Sequence, residues 1–218
     1  MHGLESLPAT LGVPEWWPTG ARVSAILAHG SQKEEPLMQF LQEQLTEQKL
    51  LTLRFHFPFV EAGKKRPDSQ AVMLRIFRAA IGLLARDPTA APAHVFLGGK
   101  NIGALAAAHA GTARLRLDGI FLLGFPLHKQ GSTTDLRTER LFRVVSPLLF
   151  LTGTRDRYCN LDLLRRVALR IGAPTVIHPV DDADAAFKVT KKGPRTQEES
   201  DQEVFTTVEA WIRKILGE

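Results

Sequence analysis

The stretch from His94 to Ala108, HVFLGGKNIGALAAA, decides the fold of this chain. The run from His94 to Leu97 predicts a buried strand, and Gly98-Gly99 ends that strand with a tight turn. Small residues from Ile102 onward predict a helix that lies close against a sheet. A strand, a glycine-flanked turn and a helix that follow one another without a gap are typical of a βα unit in a parallel sheet.

The same alternation of short apolar runs and helical patterns extends on both sides of this stretch. Strands that are apolar throughout predict a sheet buried on both faces, and right-handed crossovers place helices on both of them. We therefore predict an α/β fold with a doubly wound, mainly parallel sheet of about six strands and no separate cap domain. Named by their first residues, the strands are predicted to lie in the sheet order Leu51, Arg22, His94, Gly119, Leu148 and Thr175.

The chain length of 218 residues favours a single domain. Residues 1–20 are predicted to form an N-terminal extension and residues 21–218 the α/β domain. Helical patterns include a short helix over Leu136–Phe142 and a closing helix over Val204–Leu216. Two long irregular segments, at residues 56–68 and 181–199, follow the carboxyl ends of strands, where ligands bind in such sheets.

Composition and charge narrow the class of protein. Hydrophobic residues make up 44% of the chain and charged residues 23%, which is typical of a globular protein with a buried core. The single cysteine, Cys159, and the lack of a signal-peptide pattern or a long apolar run predict a cytoplasmic protein that does not enter a membrane. The net charge is +5, but the basic residues are scattered without interleaved aromatic residues, so nucleic acid is not an expected partner.

The turn Gly99-Lys100-Asn101-Ile102-Gly103 matches the nucleophile elbow, G-x-S-x-G, except at its centre. The central residue of such a turn has a positive φ, and asparagine is one of the few residues besides glycine that tolerate it. A carboxamide has no ionisable oxygen or sulfur with which to attack a carbonyl. Asn101 is therefore expected to keep the turn and to remove the nucleophile.

Several blocks of the sequence together resemble one branch of the α/β hydrolases. The blocks are Leu27-Ala-His-Gly, Arg54-Phe-His-Phe-Pro-Phe, Gly98-Gly-Lys-Asn-Ile-Gly, Leu123-Gly-Phe-Pro-Leu-His and Leu151-Thr-Gly-Thr-Arg-Asp. They are similar to the branch related to dienelactone hydrolase, which includes bacterial hydrolases, a testis-expressed mammalian protein and the hydrolase-like domain of a subunit of the nonspecific-lethal histone acetyltransferase complex. The resemblance runs from about Val23 to the final helix.

This resemblance implies a catalytic triad in which two of three positions are changed. In that branch a serine stands where Asn101 stands, and the acid of the triad matches Asp156. The histidine of the branch falls on Ala185 when Phe187 is aligned with the phenylalanine of its D-H-S-F block. The resemblance therefore implies that the acid is retained while the nucleophile and the base are lost.

The resemblance also implies an oxyanion hole in which the backbone N–H of Ile102 acts together with that of Gly30 or Ser31. Residues expected to line the same crevice are His29, His56, Lys100 and His128. We interpret His29 and His128 as residues that shape this pocket through hydrogen bonds, because neither follows the last strand. The alternative is that one of them replaces the missing base.

Cys159 and an acidic run are two further candidates. Cys159 lies three residues after Asp156 and is interpreted as a bystander, with a displaced nucleophile as the alternative. The run Asp181-Asp182 with Asp184 lacks the ligands that complete a hard-cation site. Neither a metal nor a cofactor is therefore expected.

Three functions remain open from the sequence. The first is a pseudo-hydrolase that binds a small-molecule ligand, for which an anion is one candidate, or a partner protein. The second is an active ester or acyl hydrolase that uses non-standard residues such as His128 or Cys159, and the third is a protein-interaction scaffold. We favour the first, because loss of the serine or the histidine of a triad costs on the order of 10⁶ in turnover.

Overall fold

The computed structural model describes residues 6–218, so residues 1–5 of the predicted N-terminal extension lie outside the described range. Within that range seven strands, β1 to β7, span Ala9–Gly12, Val23–Ala28, Leu51–Phe55, His94–Lys100, Gly119–Leu123, Leu148–Gly153 and Thr175–Val180. Six helices, α1 to α6, span Pro36–Glu47, Pro58–Glu61, Gln70–Leu84, Ile102–Ala110, Leu161–Ala168 and Gln197–Leu216. A 3-10 turn covers Leu141–Arg143.

The strands form one sheet in the order β1-β3-β2-β4-β5-β6-β7. All neighbouring pairs are parallel except β1 and β3, which are antiparallel. The predicted doubly wound sheet and the predicted order of its six parallel strands are therefore confirmed. The seventh strand, β1, comes from the segment that was assigned to the N-terminal extension, and it covers the outer edge of β3.

The sheet separates two apolar layers, which explains why most residues of its inner strands are apolar. On β2, Ile26 packs in the layer covered by α3, α4 and α5, and the next residue, Leu27, packs in the layer covered by α1 and α6. On β4, Leu97 and Phe96 divide between the same two layers. Successive side chains of a strand point to opposite faces, so a sheet buried on both sides needs apolar residues at every position.

Two predicted helices differ from those observed. The helix predicted over Leu136–Phe142 is wrong, because only the 3-10 turn at its end forms. Near the start of this segment, Arg137 N–H donates to Leu127 O at 2.8 Å and so does not take part in a helix. Helix α6 begins at Gln197, seven residues before the predicted start. Thr196 and Glu199 form a capping box at this end, in which each side chain accepts a hydrogen bond from the other residue's backbone N–H.

The register of the central strands brings three loops together. Ala28, the last residue of β2, pairs with Phe55 of β3 on one side and with Gly99 of β4 on the other. The chain order reverses between β2 and β4, so this is the topological switch point of the sheet, where ligands bind in doubly wound folds.

The described helices are each too short or too polar to cross a bilayer.

Helix α4 approaches the sheet unusually closely at Gly103. A Cβ atom on Gly103 would lie 2.5 Å from the carbonyl oxygen of Ala28 and 2.6 Å from that of His29. These are backbone atoms at the end of β2, which cannot move aside as a flexible side chain does. Gly82 on α3 is also helical, but nothing lies within 4 Å of a Cβ placed there.

We expect Gly103→Ala and Gly82→Ala to change stability in opposite directions. Gly103→Ala should lower the free energy of unfolding by roughly 1–3 kcal/mol, because the added methyl group overlaps the end of β2. Gly82→Ala should raise it by about 0.5–1 kcal/mol, because alanine restricts the unfolded chain and favours the helix. Urea unfolding of both variants measures these values, and similar effects at the two sites would contradict the close approach of α4.

Candidate functional site

Asn101 forms the apex of the turn between β4 and α4. Its φ of 51° and ψ of −109° place it in a backbone conformation that few residues besides glycine adopt. The turn is held by a hydrogen bond from Asn101 N–H to Leu123 O at 2.9 Å. A Cβ on Gly99 would lie 2.2 Å from the carbonyl oxygen of Gly103, so the chain can double back here only because residue 99 is glycine.

Three loops meet at the side chain of Asn101. A Cβ on Gly30, in the loop after β2, would lie 3.5 Å from the Cβ of Asn101. A Cβ on Gly124, just after β5, would lie 3.3 Å from Asn101 Oδ1 and 2.7 Å from the carbonyl oxygen of Ala185. The structure thus brings the predicted nucleophile position, one predicted oxyanion residue and the predicted histidine position into one small volume.

Three backbone N–H groups near Asn101 have no partner in the described part of the chain. Ile102 is the first residue of α4, where no carbonyl of the helix is available for its N–H. Within residues 6–218, the N–H groups of Ile102, Gly30 and Ser31 donate no hydrogen bond to the protein, and neither does the carboxamide of Asn101. The site therefore presents several unused hydrogen-bond donors at the edge of the sheet.

Asp156 follows β6 and is buried by its own loop. Its carboxylate accepts a hydrogen bond from Tyr158 N–H at 2.7 Å and lies 3.5 Å from Thr152 Oγ1. Burial raises the pKa of Asp156, and the nearby carboxylate of Asp184 raises it further. Among residues 6–218, no histidine nitrogen forms a hydrogen bond with this carboxylate.

Ala185 lies in a loop after β7 that Asp184 holds in place. Asp184 Oδ1 accepts hydrogen bonds from the N–H groups of Ala186 at 2.8 Å and of Lys188 at 3.0 Å. The same loop presses against the end of β6, because a Cβ on Gly153 would lie 2.1 Å from the carbonyl oxygen of the residue before Asp184. The loop therefore keeps a defined shape although its central residue contributes only a methyl group.

Asp182, in the acidic run, serves the same loop. Hydrogen bonds from Thr190, and then from Arg155, lower the pKa of Asp182 to about 2. Arg155 Nη1 lies 2.9 Å from Asp182 Oδ1, so this arginine pairs with the loop and not with the carboxylate of Asp156. The run that was considered as a cation site is thus used to shape the chain after β7.

His29 is the first residue of the loop after β2, and it is fully buried. Arg54 Nη1 donates to His29 Nε2 at 2.9 Å, which leaves the ring proton on Nδ1, and that nitrogen has no partner within residues 6–218. Burial above all, followed by the charges of His56, Arg54 and Lys100, lowers the pKa of His29 to about 3. His29 therefore stays neutral and donates its ring proton to no protein group.

His56 and His128 are both held by other groups. His56 Nε2 is 2.7 Å from Lys33 O, and its Nδ1 is 3.0 Å from a carboxylate oxygen of Glu61. His128 Nδ1 is 2.9 Å from the carbonyl oxygen of Lys129, so this nitrogen carries the ring proton. His128 Nε2 accepts a hydrogen bond from the N–H of Asn160, in the loop after β6, at 3.1 Å. Both rings therefore have their two nitrogens engaged, which supports a structural role for each.

Cys159 belongs to the loop that follows β6, and its side chain is buried. It lines a cavity of about 560 Å³ together with Asp156 and His128. Burial raises the pKa of the Cys159 thiol to about 12, so the nucleophilic thiolate is scarcely populated at neutral pH. This environment does not favour a displaced nucleophile.

Lys100 is the last residue of β4 and precedes Asn101 in the sequence. Its Nζ pairs with Glu35 at the start of α1, and both side chains are buried. Both residues line a cavity of about 750 Å³ between α1 and the loop after β7. Sequence analysis did not single out Glu35, since nothing in the sequence links two residues that lie 65 positions apart.

Comparisons with known proteins agree with this architecture. A family model described as an alpha/beta hydrolase domain matches residues 21–213. The chain is similar to dienelactone hydrolase from Anabaena variabilis, with 19% identity, a TM-score of 0.70 and coverage of 94% of this chain and 91% of that one. It is similar to an esterase domain from Rhodothermus marinus, with 17% identity, a TM-score of 0.71 and coverage of 96% and 93%.

A third solved structure is a serine hydrolase without a lid from Xanthomonas campestris. The match has 16% identity and a TM-score of 0.69, and it covers 94% of this chain and 89% of that one. At these identities the likeness shows a common fold. The described range of the present chain likewise contains no cap domain between its strands and helices.

The neutral state of buried His29 predicts a loss of stability in acid. The unfolded chain binds a proton at this histidine as pH falls through 6.5, whereas the folded chain does not until about pH 3, so the free energy of unfolding falls between these values. We expect a loss of up to about 2 kcal/mol between pH 6.5 and about pH 5 in the wild type, at no more than about 1.4 kcal/mol per pH unit. His29→Gln should remove this contribution to the dependence of the free energy of unfolding on pH.

Denaturant unfolding at several pH values measures the effect. His178→Gln serves as the control, because His178 lies at the sheet edge, 2.7 Å from Glu203, and its replacement leaves the His29 contribution in place. If His29→Gln loses as much stability as the wild type when the pH is lowered, another group causes the loss.

Proposed function

The chain belongs to the alpha/beta hydrolase domain family, and on that premise we propose that it is a pseudo-hydrolase, whose elbow binds a small ligand without cleaving it. Asn101 carries this proposal. It stands at the apex of an intact elbow, with the backbone conformation that the nucleophile of such a turn adopts, but its carboxamide cannot form a covalent intermediate. The geometry of the site is thus retained while its chemistry is removed.

The other candidate residues offer no replacement for the missing groups. Ala185 supplies no base, and the ring nitrogens of His56 and His128 are engaged with other groups. Cys159 is buried with a pKa of about 12. Because removal of the serine or the histidine of a working triad costs on the order of 10⁶ in turnover, the proposed site retains at most the roughly 10³- to 10⁴-fold effect of the oxyanion donors and binding.

The hydrogen-bonding groups of the site favour a ligand with an oxyanion. The backbone N–H groups of Gly30, Ser31 and Ile102 have no protein partner within residues 6–218, and that of Ile102 lies at the N-terminus of α4, where the helix dipole favours negative charge. Lys100, which precedes Asn101, is paired with Glu35. We therefore expect short carboxylates, which resemble the products of ester hydrolysis, to bind where an active relative would stabilise its oxyanion.

Hydrolysis of p-nitrophenyl acetate tests the loss of catalysis. Wild type and Asn101→Ala should hydrolyse the ester at equal rates near background. The double variant Asn101→Ser with Ala185→His restores a nucleophile and a base beside Asp156, and we expect its rate to rise at least about tenfold.

The control is the same double variant with Asp156→Asn added, which should abolish the rise because the histidine loses its acid. A wild-type rate well above background that falls in Asn101→Ala would contradict the proposal.

Thermal unfolding tests ligand binding at the same elbow. A short carboxylate such as butyrate at 100 times its Kd should stabilise the wild type by about 2.7 kcal/mol, or roughly 5–10 °C in Tm. Asn101→Asp should lose this stabilisation, because a second carboxylate at the apex repels the ligand.

Asn160→Asp is the matched control for that experiment. Asn160 is the only other asparagine of the chain, and its side-chain oxygen accepts a hydrogen bond from Leu163 N–H at the start of α5. Aspartate caps a helix equally well, so this variant adds the same charge and should keep the ligand effect. If no short carboxylate stabilises the wild type, a protein-interaction scaffold explains the fold better than a binding pocket does.

A further inference from the structure

The cavity of about 750 Å³ between α1 and the loop after β7 borders the elbow, and we call it the α1 cavity. Its lining includes Glu35, Lys100 and Ala186. Lys100 directly precedes Asn101 at the apex of the turn. Glu35 Oε1 lies 2.8 Å and Asn101 Cβ lies 3.5 Å from the same point, the position of a Cβ on Gly30. The carboxylate of Glu35 and the apex of the elbow are therefore close neighbours.

Glu35 and Lys100 form an ion pair that is almost completely removed from solvent. Only 2% of the Glu35 side chain and 6% of the Lys100 side chain are exposed. A buried ion pair contributes little net stability, because the loss of hydration offsets most of the attraction between the two charges. Stability alone therefore does not account for two charged side chains at this position.

One carboxylate oxygen of Glu35 remains free to accept a hydrogen bond. Lys100 Nζ donates to Glu35 Oε2, and within residues 6–218 no group donates to Glu35 Oε1. The fully buried side-chain atoms without a partner in that range are His29 Nδ1, Gln70 Oε1 and Ser200 Oγ, so Glu35 Oε1 is not enclosed by protein. Since Glu35 lines the α1 cavity, a donor bound in that cavity can reach this oxygen.

Asp201, on α6, adds a second carboxylate to the lining of the α1 cavity. It is half-buried, and its Oδ1 accepts a hydrogen bond from Gln197 Nε2 at 2.8 Å. Within the described range it forms no ion pair. Burial raises the pKa of Asp201, whereas the charge of Lys100 lowers it. Two carboxylates, Glu35 and Asp201, thus share the cavity with one buried ammonium group, Lys100, which leaves one negative charge in excess.

The other charged residues of the lining do not offset this excess. Glu34, Lys188 and Lys191 are exposed, so solvent and salt screen their charges. Arg195 pairs with Glu203, a carboxylate outside the lining. The buried part of the α1 cavity therefore favours a ligand group that carries a positive charge.

We propose that the α1 cavity binds the ammonium group of an amino carboxylate whose carboxylate occupies the elbow. The inference rests on the proposed function for the carboxylate and adds the recognition of a second charge by Glu35 and Asp201. An ammonium group has three donors and no acceptor, which matches the free oxygen of Glu35 and the carboxylate of Asp201. When it is bound, two carboxylates and two ammonium groups make the buried set neutral. Because Glu35 lies close to the apex at Asn101, a short amino acid spans both sites.

The test compares butyrate, 4-aminobutyrate and 2-aminobutyrate, which share one carbon chain, by calorimetric titration of the wild type. We expect at least one of the two amino acids to bind about tenfold more tightly than butyrate, because its ammonium group adds charge-assisted hydrogen bonds. The isomer that binds more tightly gives the spacing between the two sites. Equal affinities for all three ligands would overturn the inference and leave binding at the elbow intact.

Asp201→Asn is the variant that tests the excess charge. It removes one carboxylate and leaves the buried pair of Glu35 and Lys100 in place, so the fold is expected to be kept. Its affinities for butyrate and for the preferred amino acid should differ by no more than about twofold, because the added ammonium group then has no opposing charge in excess.

Asp87→Asn is the matched control for that variant. Asp87 is exposed in the turn before β4, outside the lining of the α1 cavity, and its carboxylate accepts a hydrogen bond from Thr89 N–H at 2.9 Å. This variant removes the same charge and should keep the preference for the amino acid. An equal loss of preference in both variants, or an unchanged preference in Asp201→Asn, would overturn the inference.

Butylammonium separates the α1 cavity from the elbow, since it carries no carboxylate. It should bind the wild type saturably and lose about tenfold in affinity in Asp201→Asn. This result without any binding of butyrate would support the ammonium site and contradict the proposed function. Binding of butyrate without any binding of butylammonium, and without a preference for either amino acid, would contradict the ammonium site alone.

Discussion

The rest of the structure depends on the close contact between the start of α4 and the end of β2. Gly103 lies against the carbonyl groups of Ala28 and His29, and this contact leaves no room for a side chain. Because α4 is fixed there, the residue that joins it to β4 must turn with a positive φ, and Asn101 does so. That turn then carries the apex side chain to the meeting point of the loops after β2, β5 and β7. The crevice is thus a consequence of backbone packing and does not require a catalytic residue.

The charged groups around the elbow are satisfied by one another. Lys100 is paired with Glu35, and Arg54 donates to a neutral His29. Asp156 is held by the backbone of its own loop. With these charges engaged, the backbone N–H groups at the ends of β2 and β4 are left as the main source of positive potential in the crevice.

Local patterns in the sequence predicted the parallel strands and the elbow because those features are encoded by neighbouring residues. The start of α6 was also encoded locally, in the Thr196-x-x-Glu199 capping box, and was overlooked. The apolar residues of Leu136–Phe142 fit a helical spacing, but they fill the core from an irregular segment, so tertiary packing overrides the local pattern. The pairing of Lys100 with Glu35 joins distant segments, and only the folded chain brings them together.

The two edges of the seven-stranded sheet are both poor templates for the addition of another strand. At one edge, β1 is only four residues long and follows Pro8, which has no N–H to offer. At the other edge, Pro179 lies within β7 and interrupts its outer row of donors. Long, regular edges recruit other chains into aggregates, and short or proline-containing edges oppose this. The short β1 strand therefore has a protective effect that extends beyond its small contribution to the core, because it replaces the longer edge of β3 with one that ends after a few hydrogen bonds.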